Sequence, residues 1–231
     1  MPKNIDGFLF FGFFIFGVIF SLSGLEGVIW VQKHKNLDLF MEWATFFGDP
    51  KNILHIVIPV ICCIIPVSEE STIFTMMIVI VQSTSDSLNA YLKWPLAGDR
   101  PYWLSELVIQ FPMTCETGFG MPSGHVMVST AVLTLFCLKF PKFHYLRIVA
   151  FFVVIGVCFS RVHTGAHLPS QSVWGAVCGL VTSWGLFSYL NLDIICQRWL
   201  KCESLLTQTC QAATAGAGLV AMGMFEFAFL R

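Results

Sequence analysis

The chain has 231 residues, 56% of them hydrophobic and 12% charged, with a formal net charge of −1. An ordinary soluble domain carries about 25% charged residues, so the surplus apolar surface, with a mean hydropathy of +0.74, belongs in lipid. The balanced charge excludes the basic footprint of a nucleic-acid-binding protein, and nine cysteines, an odd number with no Cys-x-x-Cys pair, argue against a zinc site or a complete disulfide framework.

Apolar runs occur at 8–26, 53–67, 72–92, 125–140, 146–160, 168–190 and 205–230. A spanning helix needs about 20 apolar residues, so the shorter runs at 53–67 and 125–140 are expected to extend into their flanks. The expected fold is all-α: a polytopic membrane bundle of about six or seven spanning helices. The first run follows Lys3 and ends at Ser21-Leu22-Ser23, a small-x-small pattern. Residues 1–24 therefore fit a cleaved signal peptide or a signal-anchor helix. The retained helix is favoured, because Leu25–Val31 continues the apolar character. Most cysteines lie inside apolar runs, where they act as small hydrophobes; Cys115 falls in a polar loop.

Within the third run Asp86, Asn89 and Lys93 are spaced three and then four apart, which places them on one helix face. A carboxylate inside a membrane is expected to face the bundle interior and pair there. These residues are read as support for a site, or as a satisfied polar stripe between helices. Three short polar clusters follow: Lys93 through Arg100-Pro101, then Pro122-Ser123-Gly124-His125, then Ser160-Arg161 through His163 to His167. Arg presents a planar fork matched to phosphate oxygens and Lys a compact charge. Cations from separate elements can surround one dianion, although each alone is an ordinary interfacial anchor. Ser123 is a good N-cap for the run that follows, and the first amides of a helix bind anions. Gly124 lets an oxygen approach the backbone. Pro169 favours a helix start, which puts His167 just before the first turn. Imidazole can act as a neutral nucleophile or as a proton donor. His163 would share a face with His167 only if the intervening stretch were helical, and it is read as a bystander.

The loop at 139–147 carries Lys139, Lys142, His144 and Arg147, and the loop at 191–204 carries Arg198 and Lys201. The positive-inside rule makes both cytoplasmic and sets the three clusters together on the opposite, lumenal face.

The three clusters in this order resemble the phosphatidic acid phosphatase type 2 superfamily, whose pattern is K-x6-R-P, then P-S-G-H, then S-R-x5-H-x3-D. Six residues separate Lys93 from Arg100, 20 separate Pro101 from Pro122, and 34 separate His125 from Ser160. Within the superfamily the chain looks most like the glucose-6-phosphatase catalytic subunit branch. That likeness is carried by Arg100-Pro101-Tyr102-Trp103, by Phe111 through Gly118 leading into Gly120-Met121, by Asp86-Ser87-Leu88-Asn89, and by Gln171 where the broad superfamily has Asp. It covers roughly residues 25–190. The family is longer, with about nine spanning helices, so residues 25–231 would form a C-terminally shortened membrane domain.

The resemblance implies a membrane phosphohydrolase of the endoplasmic reticulum acting on a sugar phosphate, with glucose 6-phosphate foremost. It implies His167 as nucleophile, forming a phosphohistidine, and His125 as the acid that protonates the leaving oxygen. Lys93, Arg100, Ser123, Gly124 and Arg161 would hold the phosphoryl oxygens. No cofactor is expected, because the cations neutralise the charge that Mg²⁺ neutralises elsewhere, and no cluster of His, Asp and Glu has metal spacing. The implied partners are a small phosphate ester, membrane lipid and a sugar-phosphate transporter. A lipid phosphate phosphatase on the same scaffold and a truncated, non-catalytic membrane protein are the alternatives. Gln171, four positions beyond His167, is expected to accept the Nδ1 proton of that ring and fix its tautomer, the alternative being that it only caps the helix.

Overall fold

The computed structural model describes residues 4–33, 41, 43–46, 49, 52, 68–111 and 118–201, and all the regular structure among them is helical. In chain order the main elements are α1 (Asn4–Leu22), α2 (Gly24–Gln32), α3 (Glu69–Leu96), the single turn α4 (Pro101–Leu104), α5 (Gly124–Lys139), α6 (His144–His163), α7 (Pro169–Trp184), a π-helical continuation of α7 over Gly185–Tyr189, and α8 (Leu192–Leu200). The all-α expectation agrees with these elements. The apolar runs at 53–67 and 205–230, and Cys115, lie outside the described residues.

Among the described residues α6 alone is a single helix long and apolar enough to cross a membrane. The end of α1 with α2, and α7 with α8, are as apolar when taken as bent pairs, with breaks of 90° and 60°. These helices thus carry one to three candidate spans, fewer than the sequence reading expected for the whole chain. The outward surfaces fit lipid: Val149, Phe152 and Val153 on α6, and Val177, Val181 and Trp184 on α7, are all exposed. Apolar faces this extensive are not left open to water by a monomeric soluble protein.

Helix α5 lies at the centre, between two apolar clusters. On one side Val128, Ala131 and Leu135 meet Phe74, Met77 and Val81 of α3, with Leu192 and Cys196 of α8 closing the layer. On the other side Val126 joins a cluster with Val28 of α2, Val157 and Val162 of α6, and Ala176 of α7. Phe20 of α1 belongs to this second cluster, its ring 4.8 Å from that of Phe159. The first apolar run is therefore packed into the bundle.

The closest helix pair is α5 with α7, because Gly179 brings the two backbones together. A Cβ at Gly179 would run into the Met127 carbonyl. Backbone does not yield as a flexible side chain does, so Gly179→Ala is expected to cost about 1–3 kcal/mol. A lowered thermal midpoint in detergent checks this; an unchanged midpoint would show that the pair is looser than described.

The bundle has two chemically different ends. Helix α5 runs from the Pro-Ser-Gly-His cluster to Lys139. At that far end Lys139 pairs with Asp193 at 2.7 Å, and Lys201 lies 3.7 Å from Glu69. The two basic loops of the sequence thus meet at one end, and the three polar clusters gather at the other.

Candidate active site

Each motif reaches the site because a helix begins or ends beside it. Helix α3 runs one residue past Pro95 to Leu96, and Ala97 ends it by turning the chain left-handed with φ 36°, its amide donating to Lys93 O at 3.0 Å. The chain then runs through Gly98 and Asp99 to Arg100, which is fully buried. Its guanidinium is a backbone clamp: Nε donates to Gly118 O at 2.6 Å, Nη1 to Ala166 O at 3.0 Å and Nη2 to Phe119 O at 3.3 Å. Gly120 N donates to Gly98 O at 2.7 Å. One arginine therefore ties the first motif to the approach of the second and to the residue before His167.

The second motif opens α5. Ser123 occupies the N-cap position but makes no side-chain cap bond. Its hydroxyl is fully buried and has no hydrogen-bond partner among the described residues. Its amide donates to Gln171 O at 3.1 Å. Asn89 holds the motif from α3, with Nδ2 donating to Pro122 O at 3.0 Å. A Cβ at Gly124 would lie 3.0 Å from Asn89 Oδ1, so glycine permits that approach. His125, half-buried, has Nε2 3.8 Å from Asp49 Oδ2.

The third motif is the tight turn from α6 to α7. Arg161, buried in the last turn of α6, accepts through its carbonyl from both Ala166 N and His167 N at 3.2 Å. Gly165 makes this possible: its φ is +70°, and a Cβ there would lie 2.5 Å from Ile109 O. His167 is buried, with Nδ1 2.7 Å from Gly120 O. A carbonyl can only accept, so Nδ1 carries the proton and the lone pair of the neutral ring sits on Nε2.

Three expectations are corrected. Gln171 does not bond to His167. Its Oε1 accepts from Leu168 N at 3.0 Å and its Nε2 donates to Asp99 O at 2.6 Å. The side chain spans from the start of α7 to the first motif and misses the ring, which has already turned toward Gly120. Asp86 does not face the interior; it is exposed. The buried stripe of α3 runs through Ile78, Val81, Gln82, Ser85 and Asn89, and Asp86 lies about 100° round the helix from its middle. The supporting role belongs to Asn89. Ser123, in turn, caps α5 by position only. His163 ends α6 with its ring 5.6 Å from Phe111, and the turn at Gly165 separates it from the face of His167. Lys93 is half-buried in the last turn of α3.

Sequence reasoning missed two further contributions. Gln32 of α2 is a clip: Nε2 donates to Ile109 O at 2.6 Å and to His163 O at 3.0 Å, and Oε1 accepts from Ile109 N at 3.0 Å. A lone Gln at a helix end carries no motif that could have revealed it. Asp49 stands in Gly48-Asp49-Pro50, which reads only as a turn. Among the described residues no group of three His, Cys, Asp or Glu side chains could hold a metal ion.

Comparison with known proteins agrees with this geometry. The family model described as PAP2 superfamily matches residues 71–194, more than half the chain and all three motifs. The chain belongs to the PAP2 superfamily. Among curated proteins it is 34% identical over 172 residues to glucose-6-phosphatase 2 of Homo sapiens, covering 62% of this chain and 47% of that protein. It is 28% identical over 187 residues to glucose-6-phosphatase catalytic subunit 1 of Bos taurus, covering 69% of this chain and 51% of that protein. The chain thus spans about half the length of these relatives. Among solved structures, a transmembrane PAP2-type phosphatidylglycerolphosphate phosphatase from Bacillus subtilis shares the fold, with a TM-score of 0.55 and 20% identity. The match covers 83% of this chain and 97% of that one. The chain is thus a PAP2 member on a membrane-protein fold, similar in sequence to the glucose-6-phosphatases.

Proposed function

We propose that this protein is a membrane phosphohydrolase that cleaves a sugar phosphate, foremost glucose 6-phosphate, through a phosphohistidine on His167. The observation that carries this reading is the junction itself. Arg100 binds the Ala166 carbonyl, His167 Nδ1 the Gly120 carbonyl, the His167 amide the Arg161 carbonyl and the Ser123 amide the Gln171 carbonyl. These bonds tie together the segments carrying the buried Arg100 and Arg161, the Ser123 hydroxyl without a partner among the described residues, and His167 with its lone pair on Nε2. A buried hydroxyl left open is costly unless a further group completes it, and an anion held there would lie among fixed cations.

In the reaction the phosphoryl oxygens lie against Lys93, Arg100, Arg161, the Ser123 hydroxyl and the amides that open α5. Nε2 of His167 attacks phosphorus as the ester oxygen departs, taking its proton from His125. The neutral His125 then removes a proton from water, the hydroxide attacks phosphorus, and the N–P bond breaks to return His167 and release inorganic phosphate. Charge on the transferring group is neutralised by the fixed cations.

The deciding assay compares hydrolysis of glucose 6-phosphate and phosphatidic acid side by side, in membranes from cells expressing the chain. Phosphate release from the sugar ester is the expected result. Release from the lipid alone would assign the chain to lipid phosphate chemistry, and release from neither would mean a non-catalytic protein.

The motif end of the bundle is proposed to face the lumen of the endoplasmic reticulum, because Lys139, Lys142, Arg147, Arg198 and Lys201 gather at the other end. In sealed microsomes Glu106→Cys should therefore resist an impermeant thiol reagent until the vesicles are opened, while Lys142→Cys reacts at once. Labelling of Glu106→Cys in sealed vesicles, above the background of the native cysteines, would reverse the topology.

A further inference from the structure

We infer that the orientation and tautomer of His167 are set by a backbone carbonyl, that of Gly120, and that Gln171 positions this carbonyl without touching the ring. The inference rests on the proposed role of His167 as nucleophile and adds what makes its Nε2 competent.

The contacts form a closed clasp. His167 Nδ1 lies 2.7 Å from Gly120 O. The Gly120 peptide is fixed from its other side, its amide donating to Gly98 O at 2.7 Å. The next residue, Asp99, has its carbonyl held by Gln171 Nε2 at 2.6 Å, and Gln171 Oε1 is fastened to Leu168 N at 3.0 Å. Gln171 thus braces the Gly98–Gly120 pair against the start of α7, directly after the histidine. Its own carbonyl takes the Ser123 amide at 3.1 Å, so one residue contacts the first and second motifs from within the third.

Both glycines are required by this approach. A Cβ at Gly120 would stand 2.6 Å from Gln171 Oε1 and 2.9 Å from Nε2; a Cβ at Gly98 would stand 2.6 Å from Met121 Cβ and 3.2 Å from Gln171 Nε2. The Gln171 side chain cannot swing aside without releasing Asp99 or Leu168. A methyl at position 120 therefore moves either the clasp or the carbonyl that holds the ring.

The chemical consequence differs from that of a carboxylate partner. A carbonyl accepts a hydrogen bond but carries no net charge. It selects the Nδ1–H tautomer and leaves the Nε2 lone pair toward the phosphoryl site. Gln171→Ala keeps the cations, Ser123 and His125 in place but releases the Asp99 carbonyl and opens space beside Gly120. The loss should fall on the chemical step: kcat drops about 10²-fold, as for a misplaced reacting group, while KM stays within about 2-fold. Gln171→Glu should be at least as impaired, because a carboxylate cannot donate to Asp99 O.

The test combines three readouts on the full chain in detergent. The first is the kcat and KM split for Gln171→Ala. The second is the nitrogen resonance pattern of labelled histidine, assigned by comparison with His167→Ala: wild type should show the Nδ1–H tautomer at His167 and Gln171→Ala a mixture. The third is coupling. Gly120→Ala should be severely impaired alone and much less so in the Gln171→Ala background, where its clash is gone. Inhibition by inorganic phosphate, unchanged in Gln171→Ala, verifies that the variant is folded. A pure Nδ1–H tautomer and full kcat in Gln171→Ala would overturn the clasp, as would additive losses at positions 120 and 171. The tautomer needs no turnover, so failure of the clasp and failure of the proposed activity are told apart: wild type without phosphohydrolase activity but with the coupled tautomer would retire only the latter.

Discussion

His167→Ala is expected to lower phosphohydrolase turnover by on the order of 10⁴-fold or more, because the proposed covalent route would be lost with its nucleophile. The buried ring sits at the meeting point of all three motifs, with Nδ1 committed to Gly120 and Nε2 carrying the lone pair. Phosphoenzyme formation should vanish with it. His163→Ala provides the contrast. That ring is also buried, but it ends α6 against Phe111 on the far side of the Gly165 turn. Its loss opens a cavity and lowers stability without removing the phosphoenzyme. Turnover in His167→Ala near the wild-type rate would assign the chemistry to another group, with His163 first in line.

Arg100→Lys is the second large effect, and the structure gives it two causes. A lysine keeps the charge but presents one point where the guanidinium presents a fork. Of the carbonyls of Gly118, Phe119 and Ala166 now bound by Arg100, a single ammonium cannot serve all three in the same geometry. Each buried carbonyl left without a donor costs about 1–3 kcal/mol. The variant should therefore lose about 10²–10³-fold in kcat/KM and also melt at a lower temperature. Measuring both in one preparation is informative. Lost activity with an unchanged melting midpoint would make Arg100 purely a phosphate ligand, and near-normal values of both would place it outside the site.

The legible part of this protein was the part written in side chains with distinctive chemistry. The basic, histidine and serine positions of the three motifs stand out because an apolar chain has few of them, and the helix start at Pro169 follows from that Pro. What escaped was written in the backbone. The acceptor for His167 is the carbonyl of Gly120, and a carbonyl has no sequence signature; every residue has one. The spacing pointed Gln171 at His167, but four residues along a helix do not bring two side chains together when one of them precedes the first turn and has already turned away. Asp86 shows the matching limit of periodicity. The three-four spacing put it on one side of α3 with Asn89, yet which side is buried depends on where α5 packs, and the packed stripe is centred on Val81 and Ser85. Gln32 and Asp49 act across long sequence separations, which no local pattern encodes.

The most direct test of the central claim is to quench the protein during turnover of radiolabelled glucose 6-phosphate and map the labelled peptide. Phosphate on the peptide carrying His167, stable to alkali and labile to acid as a phosphoramidate is, is the predicted result. Turnover without label, or label on a peptide lacking His167, would contradict the account.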